Sequence, residues 1–385
     1  MGVNTMAAPR TDKPDDSAAQ GKGTAAVSVP FVRASDENLQ GGNVDISRLM
    51  TAGAQDLGVT DITSYGHMAY LTLFVTATGS SDTANDAAGT EDAPWNVLQN
   101  LALTEPNGAY IVQFPSGYEL FLANKYGGYF PSTSCDPRAN PVFSAIDVEG
   151  NFQFIVIVPV QVSQRDGLGA LPNQDSAGQF KFRATLSPSA TVYSNIPDIA
   201  LPTVRVRAWL HAWDQPEVQS AGMVNATAPP ASGTTSFWQV QSGVTVNAGE
   251  NTIELKRKGN YLRQIIFVLR RAGTSRANGQ SDWPAETRFL RDAFPARYYN
   301  DSVWRSMMWN RTSFRGTADT ANANENGVRF HDYMHEFDGG LGAENRDLWQ
   351  PTRGSTRLEI AGNFANAGTL TIITNDVAIA EDVFL

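Results

Sequence analysis

Cysteine is almost absent from this chain of 385 residues, which contains only Cys135. A single thiol excludes a disulfide within the chain and a metal cluster built on thiolates. Cys135 follows Ser134 and precedes Asp136 and Pro137 in a polar stretch, and we interpret it as an ordinary loop thiol.

Long apolar runs are also missing. A membrane-spanning helix needs ~20 apolar residues, but the longest run, near residue 155, is interrupted by Pro159 and followed by Gln161. Residues 1–30 mix lysine, arginine and aspartate and contain no apolar core of a secretory signal. We therefore expect the chain to be synthesised in a cytoplasm and not to be secreted by the usual route.

Charge is scarce and has an acidic excess. Charged residues make up 18% of the chain, below the roughly 25% typical of soluble proteins. Acidic residues outnumber basic ones by 39 to 29, which gives a formal net charge of −10. Such a surface repels phosphate backbones, so we expect no coating of nucleic acid and no direct sequence-specific binding to it.

Hydrophobic alternation with a period of two is the strongest pattern that is present. A pleated strand with one buried face requires this alternation, whereas a helix would scatter the same residues around its axis. The faces that we predict to be buried are Ala69, Leu71, Leu73 and Val75; Phe152, Phe154, Val156, Val158, Val160 and Val162; Phe180, Phe182, Ala184 and Leu186; and Val204, Val206, Ala208 and Leu210.

The second half of the chain shows the same alternation of apolar residues. Short strands bounded by Gly, Pro, Asn or Asp indicate sandwiches or barrels, and the 33 glycines and 20 prolines supply the turns. The strands predicted here cover residues 238–246, 253–255, 261–270, 297–309, 328–337, 356–360 and 369–374.

Two short helices are predicted as insertions between strands. Ser116 and Glu119 have the spacing of a capping box, and Gly127 is a stop signal. A second helix is predicted to begin at residues 281–284 and to end before Pro295.

The composition also divides the chain into segments. Residues 217–236 are rich in Gly, Ala, Pro, Ser and Thr, which is typical of a linker. We predict an N-terminal arm over 1–40, a first eight-stranded sandwich over 41–216, and a second over 237–385. The arm is too poor in apolar residues to order itself alone.

The search for chemistry yields few candidates. His331 and His335 form the only close histidine pair, but Asp332 stands where a helical zinc motif requires glutamate. In a strand, residues four apart lie ~13 Å apart, too far for one ion. We interpret both as ordinary polar strand residues, and a metal-dependent, cupin-like enzyme remains an alternative.

Other motifs are incomplete. The chain has no nucleophile elbow, and Gly167 and Gly169 lack the third glycine of a dinucleotide site. The carboxylate pairs at residues 91–92 and 381–382 lie in polar stretches that we expect to be mobile, and residues 81–92 lack the spacing of a calcium loop. We therefore assign no catalytic, cofactor-binding or metal-binding residue and expect no cofactor.

Two further groups of residues have candidate roles. The local basic clusters are expected to form salt bridges between chains or to lie at strand ends; they are Lys256, Arg257 and Lys258, and Arg270, Arg271 and Arg276. Surface aromatics suggest an alternative function, a carbohydrate-binding or carbohydrate-cleaving sandwich such as a viral spike. The residues that would line its groove are Trp209, Trp213 and Trp238.

The order of elements resembles a known family. In the first half, the strand at 96–104, the turn at 105–108 and the helix at 118–126 are followed by a strand at 155–160, a loop at 165–174 and a strand at 180–186. In the second half, a central strand at 260–270 is followed by a helix through Arg288 and a strand at 298–299. Over residues 41–380 this order resembles the double jelly-roll major capsid proteins of tailless, membrane-containing double-stranded DNA viruses, the tectivirus-like bacteriophages among them.

The resemblance implies a function in assembly. Each sandwich becomes an eight-stranded jelly roll, and three chains present six rolls as a pseudo-hexagonal capsomer of an icosahedral virion shell. Its implied partners are two further copies of the chain, neighbouring capsomers, minor capsid and penton proteins, and an internal membrane reached by the arm.

Overall fold

The computed structural model describes residues 28–80, 87–129, 150–271, 276, 282–312, 325–334, 345–355 and 357–380, and strands dominate these residues. The strands of the first half are β1 (Ser28–Val29), β2 (Glu37–Leu49), β3 (Gln55–Asp61), β4 (His67–Ser80), β5 (Ala88–Gly89), β6 (Leu98–Thr104), β7 (Tyr110–Ser116), β8 (Phe152–Pro159), β9 (Leu171–Pro172), β10 (Lys181–Leu186), β11 (Tyr193–Asn195) and β12 (Ala200–Trp213). Those that follow are β13 (Gln219–Ser220), β14 (Met223–Asn225), β15 (Thr235–Val246), β16 (Gly249–Glu254), β17 (Tyr261–Arg271), β18 (Glu286–Arg291), β19 (Phe294–Asn300), β20 (Val328–Asp332), β21 (Gln350–Pro351), β22 (Leu358–Phe364) and β23 (Gly368–Ala378). The helices are α1 (Phe31–Ala34), α2 (Gly117–Tyr126), α3 (Ser189–Val192) and α4 (Asp301–Thr312), with 3-10 turns at Trp95–Val97 and Arg346–Leu348.

Each half of the chain forms one jelly roll from two sheets. In the first roll the strand orders are β2–β12–β4–β8 and β3–β10–β6–β7. The second roll repeats this plan as β15–β23–β17–β20 and β16–β22–β18–β19. The helices repeat as well, since α2 follows β7 as α4 follows β19. The predicted all-β fold of two eight-stranded jelly rolls with short helical insertions is confirmed.

The predicted buried faces are confirmed in the first roll. All eighteen residues listed above for Ala69 to Leu210 are buried, because alternate positions of a pleated strand point to one side of a sheet. β8 shows this most plainly: the side chains of Phe152, Phe154, Val156 and Val158 are buried, and those between them are partly exposed. Most of this apolar face joins one core cluster that includes residues of both rolls.

The predicted helices have different outcomes. The helix that begins after Ser116 is confirmed, and the Ser116 hydroxyl accepts a hydrogen bond from the Tyr118 backbone N–H (3.2 Å). The helix predicted to begin at residues 281–284 and to end before Pro295 is wrong from Glu286 onward, because β18 and β19 form a hairpin there. The strand predicted over 297–309 is wrong beyond Asn300, where α4 begins.

The residues assigned to the arm and the linker contact each other. β1 pairs in parallel with β14, and Phe31 of α1 is buried against Trp213, with ring centroids 6.3 Å apart. β2 begins at Glu37, before the predicted boundary at 41. The boundaries themselves stay predictions.

Candidate functional site

The two rolls meet at a strand contact. Val112 of β7 lies opposite Trp238 of β15 in a parallel register. Trp238 is fully buried, and its ring centroid lies 6.1 Å from that of Phe114. This contact makes one sheet that runs from β3 in the first roll to β20 in the second. The pairing therefore fixes the rolls side by side.

Asp92 of the first roll binds two arginines of the second. Its Oδ2 accepts a hydrogen bond from Arg270 Nη2 (2.6 Å), and its Oδ1 accepts one from Arg276 Nε (2.7 Å). The Arg276 side chain is only 1% exposed and that of Asp92 18%. Charge-assisted bonds of this length are among the stronger polar contacts in proteins. Removing one partner leaves a buried charge without compensation.

Arg276 is surrounded by groups of the first roll. Its backbone N–H donates to Glu91 Oε2 (2.6 Å), and its guanidinium lies 4.6 Å from the centroid of the Tyr118 ring. Within the second half of the chain, Arg276 Nη1 donates to the Asn326 carbonyl (3.3 Å). The guanidinium fork is thereby held by a carboxylate, a carbonyl and an aromatic face at once.

Glu119, on the first turn of α2, lies beside this cluster. Burial raises the pKa of Glu119 to about 7, and the charge of Asp92 adds to this effect while Arg270 opposes it. No described residue donates a hydrogen bond to Glu119 Oε2. Its carboxyl therefore changes protonation state near neutral pH, at the contact between the rolls.

Two more ion pairs connect the rolls. Lys125 of α2 is paired with Glu325, and both side chains are buried. Arg346 of the second half of the chain donates through Nη2 to Asp166 Oδ2 of the first half (2.5 Å). The junction is therefore polar and paired around a core of aromatic side chains.

The predicted basic clusters bind acids within the chain. Bridges between chains stay a prediction, whereas Arg270 and Arg271 lie at the end of β17, as the other interpretation expected. The intrachain pairs besides those of Asp92 are Arg257–Asp376 at 2.7 Å, Lys258–Glu254 at 2.7 Å and Arg271–Asp282 at 2.6 Å.

The carboxylate pair at residues 91–92 differs from its prediction. Both acids bind Arg276, so the expectation of a mobile, solvated stretch is wrong for them. The other pair, at 381–382, and residues 81–86 lie outside the described residues.

The tryptophans proposed for a sugar groove do not form one. Trp238 is 0% exposed and Trp213 is 6% exposed, so neither offers a face to a ligand. Trp209 is partly exposed, but Arg207 lies 5.5 Å from its ring. The structure does not bring the three indoles to one surface.

The histidine of the metal hypothesis lies in the core of the second roll. His331 is on β20, as predicted, and its Nδ1 lies 3.2 Å from Tyr299 Oη. Burial, helped by the charge of Arg297, lowers the pKa of His331 to about 3. His335 and Cys135 lie outside the described residues. Among the residues described, no three His, Cys, Asp or Glu side chains come together as a metal site.

Solved structures resemble this chain. The crystal structure of the major capsid protein of STIV matches with a TM-score of 0.60 and 11% identity, over 89% of this chain and 97% of that one. The PBCV-1 virus capsid matches with a TM-score of 0.59 and 9% identity, over 89% and 94%. The major capsid protein P2 from bacteriophage PM2 matches with a TM-score of 0.51 and 10% identity, over 90% and 99%. The chain is a double jelly roll.

At such low identity the likeness shows the fold of this double jelly roll and no more. No family model matches the sequence, and no curated protein matches it either. Within the described part of the chain, no helix is both long and apolar enough to cross a membrane.

The junction residues of the double jelly roll were not found from the sequence. Asp92 and Arg276 are separated by 184 positions, and neither stands in a motif. The only available signal was the coincidence of an acidic pair and a basic cluster in opposite halves of a lightly charged chain.

Proposed function

We propose that the chain is the major capsid protein of a tailless double-stranded DNA virus. Three copies form a pseudo-hexagonal capsomer, and capsomers assemble into an icosahedral shell around an internal membrane and the genome. The observation that carries this proposal is the repetition of one strand order in two rolls that share a sheet. One chain thereby supplies two similar building blocks in a fixed arrangement, and three chains supply six.

The proposed role is structural, and it requires neither a catalytic residue nor a cofactor. The ion pairs between the rolls support it, because they join structural elements to each other: Asp92 with Arg270 and Arg276, and Lys125 with Glu325. The solved structures with similar folds include a major capsid protein and a virus capsid. An acidic wall, with a net charge of −10, also suits a container that does not grip its DNA.

The proposed partners follow from this role. Besides two copies of itself, the chain contacts neighbouring capsomers and minor capsid and penton proteins in the virion, after synthesis in the host cytoplasm. The N-terminal arm, predicted over residues 1–40, is proposed to contact the internal membrane or a neighbouring capsomer; residues 1–27 of it lie outside the described residues.

Light scattering and electron microscopy of the purified protein test the proposal. We expect three times the mass of one chain and particles with a hexagonal outline. A monomer that binds oligosaccharides on a glycan array would overturn it in favour of a carbohydrate-binding sandwich.

A further inference from the structure

The internal repeat shows which elements meet when one roll stands beside the next. Within the chain, β7 of the first roll pairs in parallel with β15, the first strand of the second roll. The equivalents in the repeated strand order are β19 in the second roll and β2 in the first. Among the described strands, β19 pairs only with β18, and β2 pairs only with β12. Each therefore has one edge without a neighbouring strand.

Aromatic side chains on β19 are more exposed than those at the equivalent positions of β7. This difference is expected if β19 lacks a neighbouring roll. Phe114 stands three positions before the first residue of α2, and it is fully buried against the second roll. Tyr298 stands three positions before the first residue of α4, and it is 58% exposed. Phe294, at the start of the same strand, is 77% exposed, and the equivalent Tyr110 of β7 is 41% exposed. Large aromatics on a free strand edge are a template for pairing with another chain.

The helices that follow these strands show the same difference. All ten residues of α2 are buried, and its third and ninth residues, Glu119 and Lys125, face charges of the second roll. The third and ninth residues of α4 are Val303 and Trp309, which are 55% and 54% exposed. The positions at which α2 meets the next roll are therefore apolar and uncovered on α4.

β2 offers a complementary edge. Leu39 and Leu49 are exposed on it, as are Glu37, Asp45 and Arg48, which leave the strand with an acidic excess; Asp45 is paired with Arg205 of the same chain. β19 carries the exposed cation Arg297. Opposite charge on two strands favours their encounter and disfavours the pairing of each with its own kind.

We propose that β19 of one copy pairs in parallel with β2 of the next copy, with Val303 and Trp309 of α4 buried against that copy. The inference rests on the proposed function and repeats between chains the junction that β7 and β15 make within one. Because the two surfaces differ, the contact is head to tail, and three copies close into a ring of six alternating rolls.

The repeat also gives the register. Val112 stands five positions before α2, and its partner Trp238 is the fourth residue of β15. The corresponding residues are Ala296, five positions before α4, and Gln40, the fourth residue of β2. Neighbouring strands lie about 4.8 Å apart, which is within the range that a disulfide bridges.

Cysteine cross-linking tests this pairing. In a Cys135→Ser background, we expect Gln40→Cys combined with Ala296→Cys to give, on oxidation, a covalent trimer that reductant dissolves. The two single variants and the control pair Val59→Cys with Ala296→Cys are expected to remain monomeric on a denaturing gel. Val59 is exposed on β3, which belongs to a different sheet from β2 and from β19.

The outcomes separate this inference from the proposed function. A trimer by light scattering without a cross-link, or equal cross-linking of the control pair, overturns the strand pairing alone. A monomer by light scattering overturns both.

A second variant tests the contact made by α4 and needs no cysteine substitution. Trp309→Asp lies on a surface that is exposed in the single chain, so we expect an unchanged circular dichroism spectrum and thermal midpoint at a concentration where the protein is monomeric. At concentrations where the unaltered protein is a trimer, the variant is expected to dissociate, and the control Val59→Asp is not. A Trp309→Asp trimer as stable as the unaltered one contradicts the proposal.

Discussion

The side-chain amide of Asn124 pairs with the backbone of Ile157 as a neighbouring strand would. Asn124 Nδ2 donates to the Ile157 carbonyl (2.7 Å), and Asn124 Oδ1 accepts from the Ile157 N–H (2.5 Å). Ile157 belongs to β8, an outer strand of its sheet, and Asn124 is fully buried on α2. The helix thereby satisfies backbone groups that a buried strand edge would otherwise leave unpaired.

We expect Asn124→Ala to lower the free energy of unfolding by about 2–3 kcal/mol, because it removes two hydrogen bonds and leaves buried backbone groups without partners. Urea denaturation at a fixed protein concentration measures this. The exposed amide Gln219 provides the matched control, Gln219→Ala. Equal midpoints for the two variants would show that the pairing contributes nothing to stability.

Asp92→Asn tests the ionic contact between the rolls. The amide keeps the shape of the carboxylate but removes the negative charge that Arg270 and Arg276 both contact, so we expect a loss of about 3–5 kcal/mol in the free energy of unfolding. Glu254→Gln is the control, since it breaks the solvent-exposed pair with Lys258 and should leave the midpoint unchanged. The interpretation fails if both substitutions have the same small effect.

Stability should depend on pH through Glu119. Its pKa is about 7 in the folded chain, against an ordinary value of 4.5, so the folded chain binds the proton more tightly and unfolding releases it. The free energy of unfolding should therefore fall as the pH rises from 4.5 to 7, and the contribution should level off above that range. Glu119→Gln removes the ionisable carboxyl, so the variant should become more stable relative to the unaltered protein as the pH rises from 4.5 to 7.

Thermal midpoints between pH 5 and 8 measure this difference. His331 acts in the opposite direction in part of the range: because its folded pKa is about 3 against 6.5, it costs stability as the pH falls below 6.5. The difference between the variant and the unaltered protein cancels this contribution. A constant difference across the range would contradict the assignment to Glu119.

Phe31 tests how firmly the segment before β2 is bound. Its ring is buried between His67 and Trp213, and we expect Phe31→Ala to cost about 3–5 kcal/mol of stability. The exposed ring of Phe294 provides the control: Phe294→Ala should change the monomer by no more than about 0.5 kcal/mol. If Phe31→Ala is as mild as its control, this segment is a tether and not part of the fold.

The strands were predictable because their signal is local. Alternation of apolar residues directly reports which face of a strand is buried, and the faces of β4, β8, β10 and β12 all follow it. The error between residues 281 and 312 has a physical cause. Helix-start residues precede β18, yet Phe289 is buried by pairing with β22, so tertiary contacts outweigh local propensity there.

α4 was missed for the converse reason. Its buried residues Trp304 and Met308 are four apart, a spacing that helix and strand share for one face. Its start signal is Asn300, whose Oδ1 accepts from the Ser302 N–H (3.1 Å). The junction was beyond reach because contacts between Asp92 and Arg276 depend on how the two rolls are set side by side, which no local pattern encodes.

The strand contact of Val112 with Trp238 also determines how the chain melts. Each roll contributes to the other's core: Trp238 is covered by Phe114, and Tyr126 of α2 stacks on Phe330 of the second roll. Neither half is a finished folding unit, so heat is expected to unfold both in a single cooperative transition. If the chain is cut in the linker and the halves are separated, we expect neither half to remain folded. Partial unfolding that leaves one roll intact is therefore not expected.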